Sequence, residues 1–214
     1  MAPSNTPISI IYQDEHFIIV DKPADLLTVP GRGPDKQDCL IHRMLNNHPN
    51  SRIVHRLDMA TSGLVLLAQS HAAQVAASEL FAQRHIEKRY VAVVDGELNP
   101  SHGTIDAPLI CDWDRRPLQK VDYEYGKKAQ TDYTLLSYDS QTHSSRLELR
   151  PLTGRSHQLR VHMLSIGHPI LGDRFYASPT LQQKSPRLLL HAWQLSFTHP
   201  LTGEMLDIEA PVPF

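Results

Sequence analysis

Residues 55–68 read HRLDMATSGLVLLA. The second half decides the fold. Leu64 to Ala68 is an apolar run of strand length with no alternation, so it predicts a strand buried on both faces. The first half is a polar loop carrying His55, Arg56, Asp58, Thr61 and Ser62. A turn needs only Gly, Asn, Ser or Pro. This one adds acid–base groups at the mouth of a buried strand.

Upstream, Ile8–Tyr12 and His16–Val20 read as two short strands around Asp14 and Glu15, the second closed by Lys22-Pro23. TVPGRGPDKQD is a loop by composition, and Cys39–Asn46 predicts a short helix ended before Pro49. Downstream, Ser70 predicts an N-cap for a helix through Gln83, with Ala73, Ala77 and Phe81 beside Ala72, Ala76 and Leu80. Tyr90–Val94 is a second buried strand, turned by Asp95-Gly96. Gln130–Tyr138 and Ser145–Arg150 form an antiparallel pair in which Leu147 and Leu149 alternate with Arg146, Glu148 and Arg150. Ser156 is placed to cap a helix through Ile166 with Leu159, Met163 and Ile166 inward, and Arg187–Thr198 and Met205–Ala210 close the chain as strands around HPLTG. Strands outnumber helices, and several neighbours are hairpins. The expectation is an α+β fold: a mixed, largely antiparallel sheet flanked by a few helices, in one catalytic domain spanning residues 1–214.

The bulk numbers exclude several classes. A chain of 214 residues buries roughly 70% of its unfolded surface without staples. Two cysteines, Cys39 and Cys111, make no disulfide framework and no metal spacing. No run reaches the ~20 apolar residues of a membrane span, and MAPSNTPISI lacks the features of a secretory signal, so a cytoplasmic protein is expected. The net charge is −2, yet Arg146, Arg150, Arg155 and Arg160 stand against one acid, Glu148, between residues 146 and 162. An anion-binding surface is expected there.

Thirteen histidines invite a metal, but His157 and His162 are five apart, about 140° around a helix, and no H-E-x-x-H occurs. PGRGP has neither the Walker lysine nor the G-x-G-x-x-G pattern, and no G-x-S-x-G marks a serine nucleophile. No metal and no cofactor are expected. Asp58 remains, flanked by Leu57 and Met59 in a loop before a buried strand. From spacing alone it is either a turn cap, an ion-pair partner or a catalytic carboxylate.

HRLD with TSG and an apolar strand resembles the active-site signature of the RluA-type pseudouridine synthases. EKRYVAVV, GRSHQLRVHM with GHPILGDRFY, and RLLLHA follow in the same chain order, and PLICDW extends the likeness over nearly all of the chain. The likeness is greatest to the short, dual-specificity members acting on 23S rRNA and the tRNA anticodon stem-loop, without the S4-type domain of longer members. It implies the pseudouridine synthase fold with a bent sheet, no cofactor, an RNA partner and a monomer.

The resemblance also assigns residues. Asp58 becomes the catalytic carboxylate, compatible with attack on the sugar, attack on the base or removal of a ribose proton. Arg155 becomes the cation beside it in a buried pair, and Tyr90 the aromatic under the target base. Arg56 fills the gap left by the extruded nucleotide. Lys88, Arg89, Arg146, Arg150 and Arg160 are the expected phosphate contacts. His55, like His191, is expected chiefly to brace the structure near the RNA, and Leu188 or Leu189 to pack on the base. The competing classes are a non-catalytic RNA-binding or remodelling protein on the same scaffold and an Asp-dependent N-glycosyl hydrolase.

Overall fold

The computed structural model describes residues 7–214. Most of the segment read for a secretory signal therefore lies outside the described residues. The chain groups into two compact units. The first holds the residues up to Lys88 together with 191–213, and the second holds 89–190 with Phe214.

In the first unit, β1 (Ser9–Gln13) and β2 (Phe17–Lys22) form the expected hairpin. Asp14 shapes its turn by accepting the N–H groups of His16 and Phe17. β2 pairs antiparallel with β4 (Ser62–Ala68), and the short β3 (Arg52–Ile53) also lies against β4. Every residue of β4 is buried. Its four large aliphatic side chains, Leu64 to Leu67, contribute about 1.5–3 kcal/mol each by leaving water. The strand begins two residues before the apolar run because Ser62 and Gly63 pair in parallel with His191 and Ala192 of β11 (Leu190–Thr198). β11 is also flanked by antiparallel β12 (Met205–Glu209).

This unit also holds two α-helices, α1 (Leu40–Leu45) and α2 (His71–Gln83), and a single 3-10 turn at Pro34–Lys36. Ser70 caps α2 as predicted, its hydroxyl accepting the Ala73 N–H. Ala73 and Ala77, both buried, let α2 come close to the core of Phe17, Ile19, Leu64, Leu66, Leu195 and Phe197.

In the second unit, β5 (Glu87–Asp95, from Arg89 onward), β10 (Ser144–Pro151), β9 (Gln130–Asp139) and β6 (His102–Asp106) pair antiparallel in that order. Leu147 and Leu149 are fully buried while Arg150 is exposed, as the alternation requires. A small hairpin, β7 (Leu109–Cys111) with β8 (Gln119–Val121), and the helices α3 (Gln158–Ser165) and α4 (Pro179–Gln183) make up the rest. β6, β7, β8 and α4 are short elements whose sequences carry no strong period. The fold is thus mixed α+β with largely antiparallel pairing.

Several boundaries differ from expectation, β5 for example starting at Glu87, three residues before Tyr90. Ser156 does not cap α3: the cap is His157, held in the left-handed region at φ 54° with its Nδ1 2.6 Å from the Tyr176 hydroxyl. β11 starts at Leu190 and not at Arg187. Leu189 instead bonds to single residues, its N–H donating to Leu171 O and its carbonyl accepting from Val93 N–H.

Candidate active site

Asp58 lies in the first unit, half-buried in the loop between β3 and β4. The loop is fixed through its main chain. The Thr28 hydroxyl donates to the Leu57 carbonyl at 2.8 Å and accepts the Leu57 N–H at 3.2 Å. On the other side, Lys22 is 0% exposed. Its Nζ donates to the carbonyls of Pro23 (2.9 Å), Leu26 (2.8 Å) and Met59 (3.2 Å). An ammonium is tolerated out of water only with such partners. The Asp58 carbonyl accepts the Thr61 N–H at 3.2 Å, closing the turn. Where the loop enters β4, the Ser62 hydroxyl lies 2.8 Å from His191 Nδ1.

Arg56, two residues before Asp58, is exposed. His55 is not available as a charged RNA contact. Its Nε2 accepts the Leu66 N–H at 3.0 Å and its ring packs 4.5 Å from that of Phe81. Burial, reinforced by the Lys88 cation, pulls its pKa down to about 3. The imidazole is therefore neutral and braces β4. Lys88 is itself pushed below the ordinary lysine range by burial and by Arg84.

The second unit carries Tyr90 and Arg155. Tyr90 is half-buried in β5 opposite Leu149. Arg155 leads into α3 from the loop Thr153–Gly154 and is exposed, its Nε donating to Lys128 O at 3.1 Å. It does not have the burial expected of it. The loop around it is set by Gln158, whose Oε1 accepts the Arg155 N–H (3.0 Å) and the Thr153 hydroxyl (2.7 Å). The Nε2 of Gln158 donates to Gln130 O (2.9 Å) and Thr131 Oγ1 (3.0 Å). Both lone pairs and both N–H groups of that amide are used.

A buried ion pair is formed by a different arginine. Arg160, expected at the RNA surface, is 3% exposed and bonds Asp173 through both prongs of its guanidinium. Its planar fork matches the carboxylate and leaves no face for a phosphate. Arg146 donates to the main-chain oxygen of Phe214 at 2.7 Å, and Arg89 lies 3.7 Å from Glu148. Arg150 is exposed, paired in register with Asp132. Leu188 is buried and Leu189 is half-buried. Lys22, Thr28, Gln158 and Asp173 were not singled out by motif. Gln158 and Asp173 do lie inside the quoted stretches GRSHQLRVHM and GHPILGDRFY, and Lys22 closes a largely apolar strand. Among the described residues no three His, Cys, Asp or Glu side chains gather in a way that could hold a metal ion.

A family model described as RNA pseudouridylate synthase matches residues 16–165. The chain belongs to that family. The synthase is 50% identical over 212 residues to the dual-specificity RNA pseudouridine synthase RluA of Escherichia coli K12, covering 99% of this chain and 96% of that one. It is also 50% identical over 205 residues to the RluA of Yersinia pestis, covering 96% and 99%. Among solved structures it resembles human RNA Pseudouridylate Synthase Domain Containing 1, with a TM-score of 0.82 and 30% identity over 100% of this chain and 87% of that one. Human RNA Pseudouridylate Synthase Domain Containing 4 gives 0.74 and 28%, covering 96% and 88%. The synthase therefore shares the α+β fold of its family. No described helix is long and apolar enough to cross a membrane.

Proposed function

We propose that this synthase isomerises uridine to pseudouridine in two structured RNAs, 23S rRNA and the tRNA anticodon stem-loop, as one cytoplasmic, monomeric catalytic domain. End-to-end identity of 50% with a relative named for dual specificity carries the reading. The reaction breaks the N1–C1′ bond of uridine, turns the base and rejoins it through C5. Atoms and electrons balance without oxidant, reductant or water, so the chemistry calls for no cofactor.

In this reading Asp58 is the reacting carboxylate, and the clamped loop supports it, since a fixed main chain pre-positions the group for attack. Arg155 supplies the cation that favours the ionised form of Asp58. Tyr90 stacks on the uracil and hands on the C5 proton after rejoining. Arg56 fills the space vacated by the flipped nucleotide. Flipping costs a few kcal/mol, and stacking returns about 1–3 kcal/mol per base. Exposed cations such as Arg56 and Arg150 supply the remainder through phosphates.

The test is tritium release from C5-tritiated uridine in two transcripts, an anticodon stem-loop and a 23S fragment, with no metal or nucleotide added. Wild-type protein releases tritium from both, and Asp58→Asn from neither. Free uracil in the products would show a hydrolase instead. Activity on a single transcript would remove the dual specificity.

A further inference from the structure

We propose that Thr28 is a positioning residue for Asp58, its hydroxyl acting on the main chain of the preceding residue. The inference rests on Asp58 being the reacting carboxylate and adds a residue to that site.

The hydroxyl of Thr28 is spent on a single neighbour, Leu57, donating to its carbonyl and accepting its N–H. That two-way exchange is what a strand partner makes with its main chain, performed here by a side chain. It fixes both peptide groups of Leu57, and the second of these is the peptide bond into Asp58. Thr28 is itself immobilised. It is 2% exposed, its carbonyl accepts Ile41 N–H at 3.2 Å, and the carbonyl of Leu27 accepts Leu40 N–H at 2.7 Å, so the start of α1 anchors it. The following peptide is held by the Thr61 N–H on Asp58 O at 3.2 Å, and the one after it by Lys22 Nζ on Met59 O. The backbone of Asp58 is thus held on both sides by side chains from one segment, residues 22–28. These bonds limit how far the Cα of Asp58 can drift. Within the loop Leu57 is buried, and Val54 packs against the core at its start.

Three full-length variants test this: Thr28→Val, isosteric without the hydroxyl; Thr28→Ala; and Thr28→Ser, which keeps the hydroxyl. Each is assayed by single-turnover tritium release from a C5-tritiated anticodon stem-loop at saturating protein, by filter binding of the same RNA and by thermal melting. The expected result for Thr28→Val and Thr28→Ala is a rate about tenfold to a hundredfold lower with RNA affinity within about twofold of wild type, the signature of misplaced reacting groups. Thr28→Ser restores the rate. Wild-type rates in Thr28→Val and Thr28→Ala, a rate loss that Thr28→Ser does not restore, or a loss confined to RNA affinity would each overturn the proposal. So would failure of both hydroxyl-free variants to fold, because the hydroxyl would then be holding the fold and not the carboxylate. Asp58→Asn is run alongside. If it stays active, the site reading fails; if it is inactive while the Thr28 variants run at full speed, only the role of Thr28 fails.

Discussion

Arg160 and Asp173 form a two-pronged ion pair sealed from water, with Nε 2.8 Å from Oδ2 and Nη2 2.7 Å from Oδ1. The guanidinium also lies 5.1 Å and 5.0 Å from the ring centroids of Phe175 and Tyr176. Asp173 Oδ1 further accepts the N–H groups of Phe175 and Tyr176, so the carboxylate organises the turn that carries those rings. The pair ties α3 to the segment after it within the second unit.

Arg160→Ala or Asp173→Ala should each destabilise the protein by about 3–5 kcal/mol, because the survivor is left as an uncompensated buried charge. Arg160→Lys should not rescue, since an ammonium cannot present two parallel donors. Urea unfolding followed by circular dichroism measures this. A loss below about 1 kcal/mol, the range of surface pairs, would contradict the assignment.

Arg155 behaves oppositely. It is exposed, and surface changes away from special features usually stay within about 0.5 kcal/mol, so Arg155→Ala should keep its unfolding midpoint while losing tritium release. Gln158→Leu should do damage through structure first. It removes the Gln158 amide from the buried hydroxyls of Thr153 and Thr131, and leaving one buried polar group unpaired costs about 1–3 kcal/mol. The comparison of melting curves with rates separates the two.

His55 makes stability depend on pH. In the unfolded chain the imidazole titrates at 6.5, and in the folded one at about 3. Between those values the unfolded state holds the proton and the native state does not. This contribution is complete above about pH 6.5 and is lost progressively as pH falls toward 3. At about 1.4 kcal/mol per pH unit the full swing is on the order of 5 kcal/mol. His162, also lowered by burial, adds in the same direction. His55→Gln, whose amide oxygen can accept the Leu66 N–H without titrating, should show a flatter profile of urea midpoint between pH 7 and 4, roughly the window set by that linkage. Parallel profiles would rule the mechanism out.

RNA affinity should fall steeply with salt through release of condensed counterions. Arg56→Ala and Arg150→Ala should each reduce the slope of log K against log salt by about one. Arg160→Ala, if folded, should leave it unchanged. Filter binding across a salt series distinguishes these outcomes.

The long, strongly patterned elements were legible in the sequence. β4 followed from its apolar run, α2 from Ser70 and its alanine spacing, and the β9–β10 pair from the alternation of Leu147 and Leu149 with charged neighbours. Asp58 stood out because a carboxylate between apolar residues invites a question. What escaped was everything that depends on partners far apart in the chain. No local pattern reveals that Thr28 bonds Leu57, that Gln158 saturates its amide on four groups, or that Arg160 meets Asp173 thirteen residues on. A run of arginines reads as a basic surface in one dimension, and only the fold sorts Arg160 inward from Arg150 outward. The cap of α3 was misread for a related reason: the left-handed His157 is paired with Tyr176, nineteen positions away.

Gly63 sits at φ 112°, and a methyl group placed on it would come within 2.3 Å of the Ala192 main-chain oxygen. Two backbones touch there with no room for a side chain, one residue after the loop that carries Asp58 enters its strand. A saturation library screened for activity should show a gap at this codon that even alanine does not fill. The smallest edit in the genetic code would silence the enzyme there while leaving every chemical group of its reaction intact.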